Sequence, residues 1–208
     1  MAIGPRFRAW LGPLEVPAAN LYRACFVDLG HLARQVREWT PAASILEIGC
    51  GEGALTERLS LVYPKARITG IDITPKVGRL FCGDRERVTF AQETIHVLVA
   101  GNPASFDLIL ICDVMHHVPW ELHKQLLTDV GKGLKPGGRF VLKDWERQTN
   151  LAHLLCYLSD RYITGDRIRY RSADEFRTLL QSIFGSGSIE RELRIPPWRN
   201  NVAYFVKT

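Results

Sequence analysis

The segment Ser44–Glu57, SILEIGCGEGALTE, constrains this chain more than any other. Ile45, Leu46 and Ile48 form a short apolar run of the kind shown by a strand buried on both faces. Gly49, Gly51 and Gly53 then fall on alternate residues, and a helical pattern of Leu55, Leu59 and Val62 follows at once. A strand stopped by glycines and turned directly into a helix brings bare main chain and backbone N–H groups close to a ligand. Glu47 adds a carboxylate at the same edge, so this turn suits a ligand with both a cationic and a polar part. The spacing, E-x-G-x-G-x-G, departs from the dinucleotide fingerprint, whose third glycine comes three residues after the second. A second strand, Arg67–Asp72, ends in an acid at an offset that suits a ribose with both hydroxyls free.

Strands and helices alternate around this unit. A helical pattern covers Leu21–Trp39, with Gly30 placed to divide it, after a proline-rich start in which Phe7 and Trp10 are the candidate anchors. A helix is expected from Thr74 to about Cys82, then a short strand over Val88–Ala91 and a loop near Gly101-Asn102-Pro103. FDLILICDV is a near-continuous apolar strand, and Trp120–Leu134 a helix with Leu122, Leu126, Val130 and Leu134 on one face. Arg139–Asp144 is the fifth strand. Such alternation predicts an α/β fold with a doubly wound parallel sheet, which binds ligands at the carboxyl ends of its strands. Glu47–Gly53, Asp72, Thr94, Asp113–His117 and Asp144 all occupy those ends. Beyond them, Leu151–Ile163 reads as an amphipathic helix, and Ser172–Glu175 as a capping box opening a helix through Phe184. SIERELRIP and NNVAYFVKT close the chain as two strands with no helix between them, so the last is expected antiparallel to its neighbour.

The 208 residues are enough for one domain with a full core. No apolar run reaches the roughly 18 residues of a membrane span, and the first residues lack the apolar stretch of a secretory signal. Five scattered cysteines without C-x-x-C spacing argue for a reducing compartment, hence a cytoplasmic location, and against a zinc site. A net charge of +5 is read as ordinary surface charge.

Four segments, EIGCGEG, the acid of GID, FDLILICDVMHHVP and LKPGGRFVLKD, together resemble the class I S-adenosylmethionine-dependent methyltransferases. The resemblance runs from about Ile45 to the C-terminus. It implies a Rossmann-like, mostly parallel seven-stranded sheet: five parallel strands plus a C-terminal antiparallel hairpin. One domain is expected, with a helical lid segment (1–43), a cofactor-binding core (44–144), a substrate-lid insertion (145–175), and a helix with the terminal hairpin (176–208). The implied cofactor is S-adenosylmethionine, the product S-adenosylhomocysteine. By the same resemblance, Glu47 and the turn Gly49, Cys50, Gly51 and Gly53 line the methionine part, and Asp72 accepts hydrogen bonds from the ribose hydroxyls. Ile73 and Ile95 cover the two adenine faces, and Thr94 stands where many members carry the acid that binds the adenine amino group. Cys112 and Asp113 sit at the amino and carboxylate ends of the cofactor.

A sulfonium methyl is already activated, so the protein's task is to align a nucleophile behind it and to accept any proton it carries. His117 is the candidate base, ahead of His116, with a loop-fixing role as its alternative; Asp144 would bind substrate, orient a histidine or cap the next segment. Trp145, Tyr157, Tyr162 and Tyr170 are candidate walls of an aromatic pocket or members of the core. The lid segments suggest a small, partly apolar acceptor, methylated on oxygen or nitrogen, with neither nucleic acid nor metal expected and the oligomeric state open. A run of arginines (Arg161, Arg167, Arg169, Arg171) keeps RNA or protein methylation as the alternative. A non-catalytic cofactor-binding subunit is the third reading.

Overall fold

The strands of the computed structural model are β1 (Ser44–Ile48), β2 (Arg67–Asp72), β3 (Val88–Gln92), β4 (Phe106–Cys112), β5 (Leu134–Trp145), β6 (Ile189–Arg194) and β7 (Asn201–Lys207). They make one seven-stranded sheet in the order β3-β2-β1-β4-β5-β7-β6. The structure describes residues 15–150, 153, 154, 156 and 168–208. β1 pairs in parallel with both β2 and β4, and β5 extends the parallel set. β7 runs antiparallel between β5 and β6, as the closing strands require in the absence of a helix between them. The direction of winding reverses between β1 and β4, and a crevice outside the carboxyl ends of the strands opens at such a reversal.

The helices are α1 (Glu15–Ala24), α2 (Leu29–Trp39), α3 (Ala54–Val62), α4 (Ile95–Gly101), α5 (Trp120–Gly133) and α6 (Ala173–Phe184). Strand alternation divides the core in two. Leu46, Ile48, Ile109, Ile111, Phe140, Leu142 and Tyr204 face Leu127, Val130, Phe176 and Leu180 of α5 and α6. Ile45, Leu108, Leu110, Val141 and Phe205 face Leu32, Val36, Leu55 and Leu59 of α2 and α3. Among the described residues no helix is long and apolar enough to cross a membrane.

Several elements differ from the sequence expectation. The helical stretch at the start divides before Gly30, where the Asp28 carboxylate caps α2 by accepting from the His31 N–H at 2.8 Å. Residues 73–82 form turns, not a helix: Gly78 adopts φ 65° beneath the Phe90 ring, where a Cβ would stand 2.4 Å from the ring carbon Cγ. α4 fills what the sequence marks only as a loop approach; its Thr94 cap precedes a seven-residue run too apolar to show a period. On α5, Leu122 is 54% exposed, and His123, Leu127 and Val130 carry the buried face. β5 begins at Leu134 because the Pro-Gly-Gly turn is a bulge within the strand, between the Phe106–Leu134 and Leu108–Arg139 pairs. The capping box at Ser172–Glu175 forms as expected. The anchors Phe7 and Trp10, most of the Leu151–Ile163 helix, Tyr157, Tyr162, Arg161 and Arg167 lie outside the described residues.

Candidate active site

The crevice at the β1/β4 reversal is a cleft of about 300 Å³. Glu47, Gly49, Cys50 and Gly51 line it from β1, Cys112 and Asp113 from β4, and Lys143 and Trp145 from β5. Phe26 and Val27, from the corner between α1 and α2, and Asn201 complete the wall. That corner is held to the β6–β7 side by main-chain contact: Asp28 N–H donates to Pro196 O at 2.7 Å, and Val27 bridges to Pro197.

The glycine turn works by backbone geometry. Gly49 and Gly51 have φ 73° and 50°, the left-handed region in which a side chain is strained. A Cβ on Gly49 would also stand 2.2 Å from Val114 Cγ2. Gly53 serves packing instead: it starts α3 at φ 94° with Phe81 and Phe90 against it. Asp72 closes the turn, one carboxylate oxygen accepting from Gly51 N–H at 2.8 Å and the other from Thr74 N–H and Oγ1 at 2.8 and 2.7 Å.

Glu47 is buried and touches one hydroxyl, Thr56 Oγ1, which donates to its Oε2 at 2.6 Å. Burial, against the opposing effect of that hydrogen bond and with help from the charge of Asp72, raises its carboxyl to about 7. A cation placed against a buried carboxyl at that value favours its ionised form. Burial likewise pushes the Cys50 and Cys112 thiols up, which makes them packing groups and not nucleophiles.

Asp113, at φ 56°, turns its carboxylate onto the Lys143 ammonium, with Nζ 2.5 and 2.7 Å from its two oxygens. Burial pushes Lys143 down, but the Asp113 charge outweighs it and holds the ammonium above its ordinary value. The sheet edge thus presents a compensated pair and not a bare charge.

Asp144 orients His116, and not His117. The His116 Nδ1 lies 2.5 Å from Asp144 Oδ1, and the His116 and Trp145 N–H groups donate to the same carboxylate at 3.3 and 2.6 Å. Burial pushes the Asp144 carboxyl up, but the charge and hydrogen bond of His116, with Lys143, bring it below its ordinary range. The sequence favours His117 as base. His117 does line the cleft, with its ring 4.1 Å from that of His116, but it is exposed while His116 is buried. Tyr170 also stacks on His116, at 5.0 Å, and Arg169 N–H donates to His116 O at 3.0 Å.

The adenine-side expectations fare differently. Ile73 is 72% exposed beside Asp72. Thr94 caps α4, accepting from Val97 N–H at 3.4 Å, and Ile95 is buried in the core beside Val99. Neither faces the cleft, because the helix they begin turns them to other tasks. Arg169 and Arg171 stack on Trp120 at 4.2 and 4.1 Å, and Arg171 Nε donates to His123 Nδ1 at 3.0 Å. His123 Nε2 therefore carries the proton, which it gives to Met115 O and Val118 O, fixing the turn that holds His116. Sequence reasoning missed this residue, and it missed Glu52 of the glycine turn. Glu52 bonds Arg23 at 2.6 Å and Arg79 at 2.7 Å, while Arg79 also holds Glu15, tying α1 over the cleft. No local pattern marks these long-range partners.

Comparison with known proteins agrees with this geometry. Residues 46–140 match a family described as a methyltransferase domain. The ubiquinone biosynthesis O-methyltransferase of Xanthomonas campestris pv. campestris is 32% identical over 205 residues, covering 92% of this chain and 82% of that protein. Among solved structures, the mitomycin 7-O-methyltransferase MmcR shares the fold at a TM-score of 0.67 and 22% identity, over 86% of this chain and 54% of its own. This chain thus spans about half the length of that protein. The 1,6-didemethyltoxoflavin-N1-methyltransferase of Burkholderia thailandensis, solved with S-adenosylhomocysteine, gives 0.66 at 18% identity over 100% of this chain and 91% of its own. By its sequence relatives and its sheet, the chain belongs to the class I S-adenosylmethionine-dependent methyltransferases.

Proposed function

We propose that this protein transfers a methyl group from S-adenosylmethionine to a small, partly apolar acceptor, on oxygen or nitrogen. The observation that carries the reading is the cleft itself, which runs from the Glu47–Gly51 turn to His116 between apolar walls of Phe26, Val27 and Trp145. The residues fit the cofactor chemically. Glu47 is a buried carboxyl that a cation would stabilise in its ionised form, the bare main chain at Gly49 and Gly51 admits close approach, and Asp72 is a carboxylate that already accepts the Thr74 hydroxyl. When bound, S-adenosylmethionine supplies an activated sulfonium methyl. The chain's own groups then bind the acceptor, exclude water and move one proton. Asp144 accepts the Nδ1–H of His116, which leaves Nε2 as the nitrogen that takes the proton from a hydroxyl or amine as it attacks. Tyr170 and His117 confine the imidazole in that orientation. Domain limits of 1–43 for the lid and 44–144 for the core accord with α1 tied across the glycine turn. A reducing, cytoplasmic setting accords with five free thiols.

RNA or protein methylation is less favoured, since Arg169 and Arg171 are committed to Trp120. The test is a transfer assay with methyl-labelled S-adenosylmethionine against a panel of phenols, amines and cell extract. Label is expected in a phenol or amine. Label in RNA or protein, with none in any small molecule, contradicts the reading.

A further inference from the structure

Asn201 opens β7 directly opposite Trp145 in the ladder with β5. Directly paired residues share a face, as do residues two apart on a strand, so Lys143, Trp145 and Asn201 all face the cleft side. The Asn201 side chain is 0% exposed and only half used. Its Nδ2 donates to Phe26 O at 2.6 Å, which fixes the amide orientation, since a carbonyl oxygen cannot bond to another. Oδ1 is thereby turned elsewhere and has no hydrogen-bond partner. Only Ser188 Oγ shares that condition among the buried side chains of the described residues, and Ser188 is not a cleft residue.

A buried acceptor without a donor is expensive, about 1–3 kcal/mol, and its position beside a ligand cleft gives the cost a use. The other polar groups nearby are engaged: Lys143 with Asp113, Glu47 with Thr56, and the Trp145 indole N–H with His153 at 3.1 Å. Asn201 Oδ1 is what remains to be satisfied, and it calls for an O–H or N–H donor. Phe26, Val27 and Trp145 give the same cleft its apolar walls.

We propose that Asn201 Oδ1 is a recognition group for the methyl acceptor, taking a hydrogen bond from a second hydroxyl or amino group on an aromatic or heteroaromatic ring. This inference rests on the methyltransferase reading and narrows its acceptor class. The ring lies against Phe26 and Trp145, one donor faces His116 and is methylated, and the other is held by Asn201. A molecule lacking the second donor leaves Oδ1 unsatisfied and is rejected for that reason.

The test uses the full chain saturated with S-adenosylhomocysteine and three probes of one shape: resorcinol, 3-methoxyphenol and 1,3-dimethoxybenzene. Ligand-observed NMR titration of the wild type is expected to show about tenfold weaker binding on loss of the first donor. In Asn201→Leu that step disappears: resorcinol and 3-methoxyphenol then bind the S-adenosylhomocysteine-saturated variant equally. Equal binding of the three probes to the wild type overturns the proposal, as does binding of none, and neither outcome requires the variant to fold. An ordered water on Oδ1 that persists in a crystal of the resorcinol complex overturns it as well. Failure to bind S-adenosylhomocysteine at all counts against the methyltransferase reading, so the two failures are distinguishable.

Discussion

Asp144→Asn lowers kcat for methyl transfer by about 10²–10⁴-fold, the usual worth of a positioned general base. The carboxylate accepts from His116 Nδ1, the His116 main chain and the Trp145 main chain at once. An amide in its place presents an N–H to the imidazole and favours the tautomer with the proton on Nε2, the wrong nitrogen for accepting one. Affinity for S-adenosylhomocysteine stays near the wild-type value, because Asp144 is fully buried and its carboxylate is turned to His116 and the Trp145 main chain. His117→Ala is the matched control and changes kcat far less. Stopped-assay kinetics of the two variants on the acceptor found by screening decide between the histidines. A collapse in His117→Ala with Asp144→Asn near normal would return the base to His117. The depressed Asp144 carboxyl has its own signature: its stabilisation is present above the ordinary carboxylate range and is lost as pH falls through its lowered value.

Affinity for S-adenosylhomocysteine rises with pH up to about 7 and is level above it. Glu47 carries this dependence. Its folded value of about 7 stands above the ordinary 4.5, so between those limits the folded protein holds a proton that the unfolded chain releases. Stability therefore falls as pH rises through that window, by about 3 kcal/mol at most, and levels off above about 7. A cationic amine against the carboxylate favours the ionised form, so binding below about pH 7 must expel the proton. Affinity then falls by up to tenfold for each unit of pH below that point. Glu47→Gln flattens the profile, binds more weakly at about pH 8, and melts higher than the wild type there because the buried charge is gone. Calorimetric titrations between about pH 5.5 and 8 check both. A flat wild-type profile would place Glu47 away from the cofactor's amine.

Most of the sheet edge that lines the cleft was legible because its signals are local. Alternate glycines after an apolar run, an acid ending the next strand and a long apolar β4 each announce themselves within a few residues. The closing hairpin was legible for a similar reason: two strands without room for a helix leave only antiparallel pairing. The choice between His116 and His117 was not, since it depends on which ring the 3₁₀ turn Met115–His117 directs to a carboxylate 28 residues away. The same holds for Asn201, whose meaning lies in a bond to Phe26 across 175 residues of sequence. The expected helix after Thr74 failed for a steric reason, the approach of Gly78 to Phe90, which no helical pattern reveals. α4 was missed for the opposite reason, since a short run apolar on all sides shows no period.

We propose that the β1/β4 cleft binds the cofactor and that Asp72, at the end of β2 and bonded to Gly51 of the cleft, holds its ribose. Calorimetric titration of the wild type and Asp72→Ala with S-adenosylhomocysteine tests it most directly. The expected result is a dissociation constant on the order of micromolar for the wild type, and a loss of about 100-fold in the variant as two hydrogen bonds to a charged group disappear. No binding by the wild type, or equal binding by the two proteins, would contradict it.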